Sequence, residues 1–260
     1  MADNGLLDKT IEKLGVEAED FLCELIGFDS VSGYEKHALE WLYSLFRELS
    51  GVEVEKVMMD NSIKDDYYYS CPGKEFDYSD RYNLRIIRKG TGGGKSLIFN
   101  THVDVVPAGD MIDPFTARKE NGKIYGRRSI DAKGQIAAVF LVFKLLEEFE
   151  VETAGDVVFH LVTEEESGGN GTLSMIRNVK ENSQGCVNLE PTDNRLMVMV
   201  RGAVWFKIVF KGRSGHSGSD STVNPVWMVH EAMGILKDYH DRLLSEFGNQ
   251  KYFEKYKDPM

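Results

Sequence analysis

Cysteine is scarce in this chain: Cys23, Cys71 and Cys186 are the only three in 260 residues. Scattered and odd in number, they argue against a disulfide framework and fit a cytoplasmic setting. Long hydrophobic runs are missing as well. Without 18 consecutive apolar residues, no helix is expected to span a membrane, and no membrane partner is expected. The N-terminal stretch MADNGLLDKTIEK is charged and has no apolar signal core. Basic residues are in deficit, with 31 Lys and Arg against 42 Asp and Glu, for a net charge of −11. That balance disfavours binding to a phosphate backbone, so no nucleic-acid partner is expected. It leaves room for metal binding, because clustered carboxylates would contribute to such a surplus. Hydrophobic residues make up 42%, enough to build a core and too many for a disordered chain. The length allows one large domain or two.

Periodicity gives a coarse layout. DKTIEKLGVEAEDFLCELIGF and YEKHALEWLYSLFRELSG read as amphipathic helices, and VEVEKVMMD alternates like a strand. Residues 61–82 are polar and Tyr-rich without a clear period and read as a loop or irregular insertion. NLRIIRKG and KSLIFNTHVD read as strands, IDAKGQIAAVFLVFKLLEEF as a long apolar helix, DVVFHLVTEEE as a strand, GTLSMIRNVKE as a helix and CVNLEPT as a strand. This alternation predicts an α/β domain over residues 1–194, with a mostly parallel central sheet flanked by helices. From about residue 195 the texture changes. RLMVMVRG and VWFKIVFKG read as antiparallel strands, and PVWMVHEAMGILKDYHDRLLSEFG as a helix. Residues 195–260 are therefore expected to form part of a smaller α+β domain.

Several motifs carry chemistry. GTGGGKS has the wrong spacing for a phosphate loop, and it precedes a strand where a phosphate loop would follow one. It reads instead as a flexible hairpin connection. THVDVVPAGD sits at a strand's end, where ligands gather in α/β folds. His102 and Asp104, two apart, share a face of an extended segment. His102 could ligate a metal, with Asp104 fixing its tautomer, or it could be a plain surface histidine. Asp131 in GRRSIDAKG could cap the apolar helix or bridge two cations. TEEESGG brings Glu164, Glu165 and Glu166 together after an apolar strand, where mutual repulsion and desolvation are tolerable only beside cations or in full contact with water. One glutamate could ligate while its neighbour faces a metal-bound water as general base. VNLEPT adds Glu190 at another strand terminus. One imidazole and three carboxylates converging suit a hard-to-borderline divalent ion, with zinc favoured and cobalt or manganese as alternatives.

The ordered series HVDVVPAG, GRRSIDAKG, TEEESGG, LEPT and RG–W–GRSGHSG resembles the dinuclear zinc aminoacylases and carboxypeptidases, the acetylornithine deacetylase, succinyl-diaminopimelate desuccinylase and glutamate carboxypeptidase group. The resemblance implies a catalytic α/β domain with an inserted lid that makes a homodimer. It also implies a hydrolase of the amide bond in N-acyl amino acids or small peptides, using two zinc ions per complete site. On this resemblance His102 would ligate the first metal, Asp131 would bridge both, Glu190 would complete the first site and Glu166 would ligate the second metal. Glu165 would be the general base, Asp104 would orient His102, and His216 would reach the active site of a neighbouring subunit.

The chain also departs from the group's pattern. Arg128 stands where the second glycine of GRG is usual, and the tryptophan common before PF is absent from GDMIDPF. The chain ends inside the lid, before the segment that carries a histidine ligand of the second metal. The second site would then keep only Asp131 and Glu166. The alternative expectation is a catalytically impaired metal-binding fragment of the same fold.

Overall fold

The computed structural model describes residues 4–71, 73–198, 206–216 and 222–247. The chain divides into two compact units, Met1–Val200 and Arg201–Met260.

The first unit is built on a five-stranded sheet in the order β1-β2-β6-β3-β7. The strands are β1 (Val52–Met58), β2 (Tyr82–Arg88), β3 (Leu97–His102), β6 (Val157–Val162) and β7 (Gly185–Asn188). β6, β3 and β7 pair in parallel, whereas β2 runs antiparallel to both β1 and β6. Four of the five strands thus point the same way, which is the mostly parallel α/β sheet expected from the sequence. A short two-stranded ribbon, β4 (Arg118–Glu120) with β5 (Lys123–Tyr125), stands outside this sheet.

Helices α1 (Asn4–Ile26), α2 (Lys36–Arg47) and α3 (Lys133–Glu148) cover one face. On α1, the buried residues Leu14, Ala18, Phe21 and Leu25 recur at helical spacing and form its inward stripe. α2 buries Ala38, Leu39, Leu42 and Phe46, and each large side chain contributes about 1.5–3 kcal/mol by leaving water. Phe21 stacks on Phe140 with ring centroids 4.4 Å apart, and Phe46 meets Phe143 edge-on at 6.0 Å. The buried Lys133 donates to the carbonyls of Leu25 and Phe28 at 3.0 and 2.8 Å, so its ammonium ties the carboxyl end of α1 to the start of α3. Helix α4 (Asn170–Asn178) lies on the opposite face, against β6 and β2.

Connectivity places the site. The chain passes from β3 through α3 to β6 on one side of β3, then through α4 to β7 on the other. The strand order reverses at β3, so the carboxyl ends of β6, β3 and β7 open onto a common crevice.

Two expectations need correction. GTGGGKS is not a hairpin, because β2 and β3 do not pair: β6 lies between them. The loop folds instead onto the segment entering β6, with Thr91 and Gly92 amides donating to the carbonyls of Thr153 and Ala154 at 2.8 and 3.0 Å. The approach is close enough that a Cβ on Gly155 would fall 2.1 Å from the Lys95 carbonyl oxygen, which only glycine avoids. Of the two expected strands, the described parts, 195–198 at the end of the first unit and 206–212 in the second, form no ladder, and residues 199–205 lie outside the described residues. A strand exists only with a partner, and the pairing described in this unit is the single bridge Arg213↔Val223. Helix α5 (Pro225–Phe247) forms as expected, with Trp227 and Ile235 among its exposed apolar residues.

Candidate metal centre

His102 ends β3 and is buried. Its Nδ1 lies 3.0 Å from the backbone oxygen of Asp104. A carbonyl can only accept, so Nδ1 carries the hydrogen and Nε2 is the nitrogen turned to the crevice. There it meets Asp131 Oδ1 at 3.1 Å and Glu165 Oε2 at 3.8 Å.

The fully buried Asp104 does more than orient the imidazole. Its carboxylate is 3.4 Å from His102 Nδ1. It also accepts from the Ser32 hydroxyl at 2.7 Å and from the amides of Glu165 and Glu166 at 3.0 and 3.2 Å. One side chain thereby fastens the turn after β6 to the end of β3. Nothing in the local sequence signals this, because the donors lie about 60–70 residues away in the chain.

Asp131 does not cap α3. The residue at the cap is Ala132, with no side-chain hydrogen bond, and the Asp131 carboxylate faces His102 instead. Its second oxygen, Oδ2, accepts from Arg128 Nη1 at 2.5 Å. Arg128 Nη2 also lies 2.5 Å from Glu166 Oε1. The latter contact is an ion pair without hydrogen-bond alignment, and Glu166 Oε1 is a buried oxygen with no hydrogen-bond partner.

The three consecutive glutamates separate. Glu164 takes a left-handed backbone (φ 61) and turns inward, 1% exposed. Tyr78 Oη donates to its Oε1 at 2.9 Å, Asn170 Nδ2 donates at 2.7 Å, and Arg81 lies 3.9 Å from Oε2. The expectation that cations hold all three glutamates together therefore fails for Glu164, which neutral donors chiefly satisfy. Tyr78 comes from the expected irregular insertion, which forms a 3-10 helix over Asn61–Asp65 and a small core of Met59, Ile63, Phe76 and Tyr78. Glu165 and Glu166 face the crevice, and Gly169 (φ 78) closes the turn by donating to the Glu164 carbonyl at 2.8 Å.

Two overlapping groups result, each with one ligand atom per residue and all within 4.8 Å of one another: His102, Asp131 and Glu190, and His102, Glu165 and Glu166. His102, Asp131, Glu166 and Glu190 are thus brought to one place, with Glu165 beside them. A nitrogen with several carboxylate oxygens fits a divalent cation. The remaining predicted residue, His216, is exposed in the second unit. His160 is engaged elsewhere, 2.9 Å from Glu181.

The electrostatics agree with a site built to take positive charge. Burial opposes a charged His102 ring, but hydrogen bonds to Asp104 and Asp131 outweigh it and push the imidazole up to about 11. The His102 hydrogen bond lowers Asp131 against the effect of burial. Burial raises Glu165 against the pull of His102, and raises Glu166 against Arg128. Glu190 is exposed at its surface, yet the protein packed around its carboxyl pushes it up to about 7. Carboxylates that burial holds high are what a cation would relieve.

The fold and the site together define an α/β protein with a candidate divalent-metal centre at a topological switch point. The family model for peptidase family M20/M25/M40 matches residues 98–243, and the chain belongs to that family. A succinyl-diaminopimelate desuccinylase of Wolbachia pipientis wMel is 26% identical, over 89% of this chain and 55% of its own. That of Wigglesworthia glossinidia brevipalpis is 31% identical, over 56% of this chain and 42% of its own. The chain thus spans about half the length of the curated relatives it matches. Among solved structures, human carnosine dipeptidase 1 shares the fold with a TM-score of 0.53 at 20% identity, covering 66% of this chain and 37% of the other.

Proposed function

We propose that this chain carries the metal-binding part of a hydrolase that cleaves the amide bond of N-acyl amino acids or small peptides. The observation that carries the reading is the convergence of His102 Nε2, Asp131, Glu190, Glu165 and Glu166 at the carboxyl ends of three adjacent parallel strands. Membership of the peptidase family and the desuccinylase names of its relatives support the reaction class.

His102, Asp131 and Glu190 would hold a divalent ion, zinc by preference, with cobalt or manganese as alternatives. Such an ion supplies Lewis-acid polarisation of the scissile carbonyl and a more acidic water. Glu165 is the general base: its carboxylate takes the proton of the attacking water and delivers it to the leaving amine nitrogen. Burial holds that carboxyl above its ordinary range, nearer the working pH where proton transfer in both directions is efficient. Asp104 is a positioning residue that fixes His102 and the backbone carrying Glu165 and Glu166. Glu166 belongs to the second candidate group, with His102 and Glu165. His216, in a motif that resembles the lid histidine of the deacylases, is assigned to a neighbouring subunit's substrate, and a homodimer through residues 195–260 is proposed with it. A cytoplasmic setting is supported by the three unpaired cysteines.

The test is release of free amine from N-succinyl and N-acetyl amino acids by the protein reconstituted with zinc, with and without chelator. Turnover that vanishes in Glu165→Ala while the metal content stays constant is the expected result. A metal-loaded protein that hydrolyses none of these substrates, nor small peptides, favours the second reading: a metal-binding fragment without turnover.

A further inference from the structure

Two carboxylates beside His102 are gripped by a side chain that belongs to neither ligand group. Arg128 sets Nη1 2.5 Å from Asp131 Oδ2 and Nη2 2.5 Å from Glu166 Oε1. Asp131 is a member of one group and Glu166 of the other. We propose that the Arg128 guanidinium is a built-in cation standing where a second divalent ion would otherwise sit, so that the centre takes one ion only, at His102, Asp131 and Glu190. The inference rests on reading the cluster as a metal centre.

The way Asp131 divides its oxygens is the first argument. Oδ1 faces His102 Nε2 at 3.1 Å and stays available to an ion there, while Oδ2 is committed to the arginine. A carboxylate that bridges two ions through one oxygen each needs both oxygens free. Charge is the second argument. The guanidinium is always protonated, and its planar fork suits two carboxylates at once. Half-buried as it is, it would repel a second cation drawn to the same pair of oxygens. Backbone conformation is the third. Arg128 sits at φ 58, a region natural to glycine and uncommon for any residue with a side chain. The two carboxylates it reaches account for a long cation at a position the backbone shapes for glycine.

The same conformation makes Arg128→Gly a mild substitution for the fold and a decisive one for the charge. The experiment counts metal by equilibrium dialysis of the 260-residue chain against Co2+, with elemental analysis and the visible absorption of the bound cobalt. The unaltered chain is expected to retain one ion. Arg128→Gly is expected to retain two, with a second set of absorption bands, and Arg128→Lys, which keeps a positive charge, one. Circular dichroism checks folding, and if the glycine variant does not fold, Arg128→Gln removes the charge and is expected to give the same count of two. Two ions in the unaltered chain, or equal counts with and without the charge, overturn the proposal while leaving the metal centre intact. No retained ion in any of these proteins overturns both.

Discussion

Tyr78 and Glu164, 86 residues apart in sequence, are joined by a 2.9 Å hydrogen bond inside the protein. The phenol comes from a stretch with no sequence period, and the carboxyl from the turn that delivers Glu165 and Glu166. Burial raises the Glu164 carboxyl, and hydrogen bonds from Asn170 and Tyr78 oppose that rise. The pair anchors the turn that carries Glu165 and Glu166 to that stretch.

Removing that phenol oxygen leaves a buried carboxylate short of a donor. Tyr78→Phe is expected to cost about 1–3 kcal/mol, the desolvation penalty of a polar group left unsatisfied, measured by urea unfolding. Tyr68, 68% exposed, is the control: Tyr68→Phe should change stability by roughly 0.5 kcal/mol or less. Equal effects at the two positions would refute the anchoring role.

Glu35 gives a test by pH. It is buried against Arg81 at 2.8 Å, and burial outweighs that pairing to push its carboxyl from 4.5 to about 7. A carboxyl raised in the folded state binds its proton more tightly there than in the unfolded chain. Its contribution to stability is therefore full below about 4.5 and is lost as pH climbs to about 7. Glu35→Gln, neutral throughout, should gain stability relative to the unaltered protein between pH 5 and pH 7.5, read as the difference in Tm at the two values. A difference that shrinks over that interval would mean that Glu35 is folded as the anion partner of Arg81.

Asp104→Asn keeps the shape of the side chain but has one acceptor oxygen for donors that now use two. The turn after β6 should loosen, at a cost of about 1–3 kcal/mol. Metal affinity should fall by about 10- to 100-fold, the usual consequence of disturbing a group that orients a ligand. Competition with a chromophoric zinc chelator measures the affinity, and unchanged affinity would restrict Asp104 to a structural role.

Much of the first unit was legible in the sequence because its helices and strands carry strong local periods. The stripe Leu14, Ala18, Phe21, Leu25 is visible without coordinates, as are the apolar strand ends that place His102 and Glu190. Strand order was not legible. The short connection between β2 and β3 suggested neighbours, and only the long-range pairing of β6 separates them. The TEEE turn also hid its division of labour, since three identical side chains give no sign of which one the left-handed backbone at Glu164 turns inward. Arg128 stands out in the sequence only as a departure from glycine. Its contacts with Asp131 and Glu166 depend on a loop conformation that no period encodes.

The clamp made by Asp104 has a consequence for how such a crevice could accommodate guests of different size. Because two peptide amides from beyond β6 end on a carboxylate rooted beside His102, the imidazole and the pair Glu165–Glu166 move as one rigid block. Asp131 is tied to that block as well, through Arg128, so adjustment is left to Glu190, which leads into Pro191. The proton-handling side of the centre is stiff, and the Glu190 side supplies the give.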